Sequence, residues 1–251
     1  MNTILCVYLL VGITACAGIL QERVVGGDLA KQSKFPFVAS LRTNANKFLC
    51  AGAIVNRSWV LTAAECVQRQ TVNNLTVVVG STDLQVGGVL HRVSLIKMHP
   101  NYINRTKENN IALIKIVNQF AENKNVEKIR IAKDPISDGK DVEVAGWGSI
   151  GFPNQNYTNN LRWIEMKTIS FSDCKKYLPN IYYYNICTKG KTTRGPCHGD
   201  VGSPLIRRGG FFSNTELHGI VSQYAHCANG LPDVYVSTTA FKLWIDQIIS
   251  N

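Results

Sequence analysis

After Arg23 the chain passes through many short apolar stretches rich in Val, Ile and aromatic residues, separated by Gly, Asn, Pro or Asp. Phe37–Leu41, Ala53–Val55, Leu75–Val79, Val93–Met98, Ile111–Ile116, Val142–Ala145, Arg162–Ile169 and Leu217–Val221 are of this kind. Strand-length runs with turn residues between them predict an antiparallel sandwich or barrel. There is no βαβ rhythm and no repeat of fixed length. One segment differs. In Thr239–Ile249 the residues Phe241, Trp244, Ile245 and Ile248 fall at i, i+3, i+4 and i+7. That stripe predicts an amphipathic helix packed on a sheet, with Ser237, Thr238 or Thr239 available as its N-cap. The pattern alone gives an all-β fold closed by a terminal helix.

The stretch Met1–Gly18 is apolar, carries no charged side chain and ends in the small residues Ala15-Cys16-Ala17. This reads as a signal peptide over residues 1–17, followed by a short propeptide over 18–23. The apolar run is short for a membrane span, and no later segment is longer, so no stable membrane insertion is expected. The expectation is a secreted, extracellular protein. Cys6 and Cys16 leave with the signal, and Cys50, Cys66, Cys174, Cys187, Cys197 and Cys227 remain. An even set in an exported chain reads as disulfides, but spacing alone does not choose the pairs. Sequons at Asn56, Asn74, Asn104 and Asn156 are candidate glycan acceptors, with Asn56 set between two hydrophobic runs.

Composition adds the charge. Of 251 residues, 45% are hydrophobic and 18% charged, enough for a large core and unlike a disordered or coiled-coil chain. The formal net charge is +10, with denser basic patches at Lys124–Lys133, Lys189–Arg194 and Arg207–Arg208. Such a surface attracts acidic proteins, acidic glycans or anionic membranes. No nucleic-acid motif accompanies it. A zinc site from His198, His218, His226 and Asp233 has no supporting spacing, so no metal and no cofactor are expected.

The landmarks from Arg23 onward resemble the chymotrypsin/trypsin family of serine proteases. Arg23-Val24-Val25-Gly26-Gly27 looks like a zymogen activation site with Val24 as mature N-terminus. Trp59–Cys66 resembles the family's W-V-L-T-A-A-H-C, Asn109–Leu113 its N-D-I-A-L, Gly146–Gly148 its G-W-G, and Gly199–Pro204 its G-D-S-G-G-P. The resemblance implies two six-stranded Greek-key barrels, at about 24–130 and 131–238, with the C-terminal helix at about 239–250. It also implies the pairs Cys50–Cys66, Cys174–Cys187 and Cys197–Cys227. Asp200 is then the residue that pairs with the Val24 amino group after cleavage.

At the catalytic positions the resemblance fails. Acyl transfer in this family needs a hydroxyl nucleophile, an imidazole base and a carboxylate that orients it. Here those positions are Val201, Glu65 and Asn110. Val201 has no lone pair, and a carboxylate with a reference pKa of about 4.3 is a poor proton carrier for a serine. The Gly199 and Val201 N–H groups correspond to the oxyanion hole. Gly195 matches the specificity-pocket floor and Asp233 a pocket wall, while Tyr224 stands where substrate backbone would pair; Asp233 and Tyr224 together are expected to fill or seal the pocket. Ser203 reads as a packing or hydrogen-bonding residue, and His198 as a rim residue with no nucleophile to activate.

The triad loss on this framework resembles the scabies-mite inactivated serine protease paralogues, relatives of the mite group 3 trypsin allergens. That resemblance implies a non-enzymatic secreted protein of the mite gut lumen that binds host complement or plasma proteins and inhibits complement. Two other readings are a weak or relocated serine hydrolase using Ser203, and a glycan- or heparin-binding protein using the basic patches. Oligomeric state is not written in the sequence.

Overall fold

The computed structural model describes residues 27–149, 156–190, 192, 194–209, 215–223 and 227–250. The leader, Arg23, Val24, Tyr224 and His226 lie outside the described residues.

Six strands form the first barrel: β2 (Val38–Thr43), β3 (Phe48–Asn56), β4 (Trp59–Thr62), β5 (Leu75–Val79), β6 (Val89–Met98) and β7 (Ala112–Ile116). They close in the order β2-β3-β4-β7-β6-β5. The second barrel consists of β9 (Asp141–Gly146), β10 (Arg162–Ile169), β11 (Asn185–Thr188), β12 (Pro204–Arg207), β13 (Glu216–Gln223) and β14 (Asp233–Ser237). Its order is β9-β10-β11-β14-β13-β12, and β12 pairs back to β9. The two barrels therefore repeat one Greek-key strand order, and closure leaves neither with a bare edge. Two short strands attach to the second barrel: β1 (Asp28–Leu29) pairs with β10, and β8 (Arg130–Ile131) runs parallel to β13. The all-β, two-barrel expectation holds.

Alternation drives the burial. Along β10, Arg162, Ile164, Met166 and Thr168 are buried, whereas Glu165 and Lys167 between them face solvent. Ile164 and Met166 join Val142, Val144, Leu205, Val221 and Tyr235 as the core of the second barrel. Leu41, Ile54, Leu61, Leu113 and Ile114 fill the first barrel, in a cluster that runs on through Trp147 and Leu161. Disulfides join Cys50 to Cys66, Cys174 to Cys187 and Cys197 to Cys227. Among the described residues no helix is long and apolar enough to cross a membrane.

The terminal helix, α3 (Lys242–Ile249), starts later than its polar residues suggest. Its N-cap is Phe241, which makes no side-chain cap bond. The expected caps are used elsewhere. Ser237 ends β14 and shares a hydrogen bond with Thr239, while the Thr238 hydroxyl donates to the Leu217 carbonyl. Ile245 is buried and Trp244 and Ile248 pack beside it, so the predicted stripe is the packed face.

A second helix, α2 (Phe171–Tyr177), is capped by Ser170, whose hydroxyl oxygen accepts from the Asp173 N–H at 3.0 Å. Replacing Ser170 with Ala is expected to cost about 1 kcal/mol, measured as a lower urea midpoint at unchanged slope.

Candidate functional site

Strand register assembles the site. In the β4–β7 pair Thr62 faces Ala112 and Leu61 faces Leu113, so the end of β4 lies beside the start of β7. Glu65 follows β4 in the one-turn helix α1 (Ala64–Val67), and Asn110 precedes β7. The two meet in a reciprocal contact: the Glu65 N–H donates to Asn110 Oδ1 and Asn110 Nδ2 donates to Glu65 Oε1, both at 2.9 Å. Asn110 is fully buried, and its Nδ2 also donates to Ser222 Oγ at 3.0 Å from β13 of the other barrel.

The second oxygen of Glu65 is taken as well. Lys107 Nζ lies 2.7 Å from Oε2 in a half-buried ion pair. The same ammonium donates to Asn104 Oδ1 at 3.1 Å, and the Tyr102 hydroxyl donates to that oxygen at 3.0 Å. Burial, with the Glu65 charge adding, pushes the Tyr102 hydroxyl up to about 12. Lys107 escaped the sequence reading, because a loop lysine 42 positions from Glu65 carries no local signal of its partner.

Val201 reaches the junction from the second barrel. Its carbonyl accepts from the Ala51 N–H at 3.4 Å, and Cys66 of the Cys50–Cys66 bridge sits 3.7 Å from the same oxygen. Gly202 follows at φ +85°, and a Cβ there would collide with the Ala51 carbonyl and the Thr62 hydroxyl. Only glycine lets this loop press so closely on β3 and β4. Val201 is half-buried and packs against the core. Gly199, at φ +94°, lies beneath the Tyr157 ring: a Cβ on Gly199 would be 2.6 Å from it. Tyr157 in turn packs edge-on against Phe48, with ring centroids 5.2 Å apart. Among the described residues the Gly199 and Val201 N–H groups have no acceptor.

Asp200 is buried, and its oxygens accept from the Gly148 N–H at 2.8 Å and the Cys197 N–H at 2.9 Å. Burial outweighs these donors and raises its carboxyl to about 6. Asp233 is 3% exposed on β14, and a Cβ on Gly195 would lie 3.3 Å from its Oδ2. Burial, with the Asp200 charge adding, raises the Asp233 carboxyl to about 8. Asp233 thus borders Gly195; the other expected pocket residue, Tyr224, lies outside the described residues. Ser203 is fully buried, and among the described residues its hydroxyl has no hydrogen-bond partner, so there it packs rather than bonds. His198 is half-buried, and its carbonyl accepts from the Ser149 N–H at 2.7 Å. Asn74, Asn104 and Asn156 are exposed, and Asn56 is half-buried at the end of β3. In the Arg207–Arg208 patch, Arg208 is engaged with Glu143 through two bonds of 2.7 and 2.9 Å.

Glu65, Asn110 and Val201 thus bring a carboxylate, an amide and an isopropyl group to the junction of the two barrels. The sequence model of the family described as Trypsin matches residues 24–245. Trypsin theta of Drosophila melanogaster is 32% identical, with 96% of this chain and 95% of the relative covered. Hypodermin-A of Hypoderma lineatum is 30% identical, over 91% of this chain and 87% of its own length. Among solved structures, neuropsin, a serine protease expressed in the limbic system of mouse brain, superimposes with a TM-score of 0.81. It is 26% identical and covers 89% of this chain and 99% of its own. The chain belongs to the trypsin family.

Proposed function

We propose that this chain is a secreted, proteolytically inactive member of its family that acts by binding other proteins outside the cell. The observation that carries the reading is the occupancy of Glu65, whose two carboxylate oxygens are held by Asn110 and Lys107. Both oxygens that a base would use are already engaged, and Val201 carries no hydroxyl from which a base could take a proton. The full burial of Ser203 argues against a relocated nucleophile. Three disulfides on this fold suit the oxidising conditions of export. The similarity to inactivated mite paralogues favours host complement components as the partner and complement inhibition as the outcome.

Two measurements test this. Purified chain, cleaved at Arg23, is expected to take up no serine-directed fluorophosphonate. Labelling that vanishes in Ser203→Ala would turn the reading into a hydrolase. In a complement lysis assay the same protein is expected to protect target cells in proportion to dose, and absence of protection would remove complement as the partner.

A further inference from the structure

We infer that the cleft between β8, the loop over residues 132–140, and the facing surfaces of β12 and β13 is a binding site for a sulfate or phosphate monoester group. The cleft has a volume of about 300 Å³ and is lined by Arg130, Lys133, Lys140, Arg207, Glu216 and His218. It is separate from the Glu65 site. Ser222, the β13 residue that reaches Asn110, is four residues beyond His218, ~13 Å along an extended strand.

The first observation is an unpaired imidazole. His218 is 5% exposed, and among the described residues neither ring nitrogen has a hydrogen-bond partner. Its nearest charged neighbour, Glu216 Oε2, is 4.0 Å from Nε2. A buried polar group left unpaired destabilises the fold. The backbone holds the residue in place: His218 is the extra residue of a bulge against β12, where Leu205 faces Gly219 and Ile206 faces Leu217, and its carbonyl accepts from the Thr238 N–H at 2.9 Å. An anion in the cleft supplies the acceptor that this ring lacks.

The second observation is surplus charge on fixed walls. Arg130 is spent on Glu216 at 3.0 Å. Lys133, Lys140 and Arg207 are exposed and have no carboxylate partner among the described residues; Asp134 in the same wall offsets one of them. The loop that carries the two lysines is pinned at both ends. The Ala132 N–H donates to Leu217 O at 3.0 Å, the Gly139 N–H to Thr168 O at 2.9 Å, and the Lys140 N–H to Thr168 Oγ1 at 2.8 Å. Little ordering is left for a ligand to impose. Donors that converge from a loop and two strands suit the several oxygens of a tetrahedral oxyanion better than a planar carboxylate.

Burial lowers the proton affinity of His218, with Arg207 also lowering it and Glu216 raising it. The remaining charges that face it, Arg130, Lys133, Lys140 and Asp134, are those of the cleft. A bound dianion is expected to raise that affinity.

The experiment uses the full chain, titrated with inorganic sulfate, inorganic phosphate or a heparin-derived tetrasaccharide. Calorimetry reads affinity, and the His218 ring resonance reads the site. Binding is expected to move that resonance and raise its titration midpoint. Lys140→Gln with Arg207→Gln is expected to weaken affinity at least tenfold, whereas Lys97→Gln with Lys124→Gln, which removes the same charge elsewhere, changes it less than twofold. Tighter binding of the tetrasaccharide than of either ion assigns a sulfated sugar, and equal binding assigns a free ion. Equal losses in the two double variants, or a His218 resonance unmoved by all three probes, would overturn the site.

Discussion

The triple variant Glu65→His, Asn110→Asp, Val201→Ser, cleaved at Arg23, is expected to be acylated by a fluorophosphonate and to hydrolyse activated esters. The native chain and each single variant are expected to stay at the uncatalysed rate. Groups that act as a unit fail together: loss of nucleophile or base alone costs about 10⁶ in kcat, and restoring one without the other recovers almost nothing. The surroundings suit the reversal. An aspartate at position 110 would keep two of the present partners, because the residue-65 N–H already donates to Oδ1 and the Ser222 hydroxyl, now an acceptor, turns to donate to a carboxylate. Free Gly199 and Val201 N–H groups remain for the oxyanion. Lys107 opposes the change, since an ammonium 2.7 Å from the present carboxylate lowers the basicity of an imidazole placed there. Adding Lys107→Gln is therefore expected to raise the rate further. A folded triple variant that stays unlabelled would mean that more than three side chains separate this cleft from a working one.

The parts of the fold that a sequence displays are those written locally. Leu75–Val79 and Arg162–Ile169 coincide with β5 and β10: the first is a continuous apolar, β-branched run buried along its whole length, and the second sorts its side chains by face. The short strands β11, β12 and β14 gave no comparable signal: four or five residues, one opening on Pro204 and another on Asp233, look like loop until their neighbours are known. The cap of α3 failed for the same reason, since the bonds that consume Ser237 and Thr238 come from β13 and a neighbouring turn. At the site, the substituted positions were legible because they sit in motifs of fixed spacing. What holds them was not: Lys107, Tyr102 and Tyr157 reach the cleft from loops whose path depends on both barrels. Burial of His218 without a partner is likewise a property of the packed β13 face.

Asp233→Asn is expected to leave stability nearly unchanged at pH 4 and to raise it increasingly between pH 4 and 8, reaching a few kcal/mol by about pH 8.5. In the unfolded chain an aspartate titrates near 3.9, whereas burial and the Asp200 charge put the folded Asp233 at about 8. Between those values the folded state binds a proton that the unfolded state has lost. Stability from this group is therefore complete below pH 4, falls as pH rises, and is gone once pH passes the folded value. Asn resembles the protonated carboxyl in shape and never ionises, so it removes this slope. Taking the difference between native and variant melts cancels the opposite slope of His91, His99 and His218, whose proton affinities are lowered by burial. Asp200, at about 6, adds a smaller slope of the same sign to both chains. A difference that stays flat from pH 5 to 8.5 would mean that Asp233 ionises freely beside Gly195, and that water reaches this carboxyl inside the second barrel.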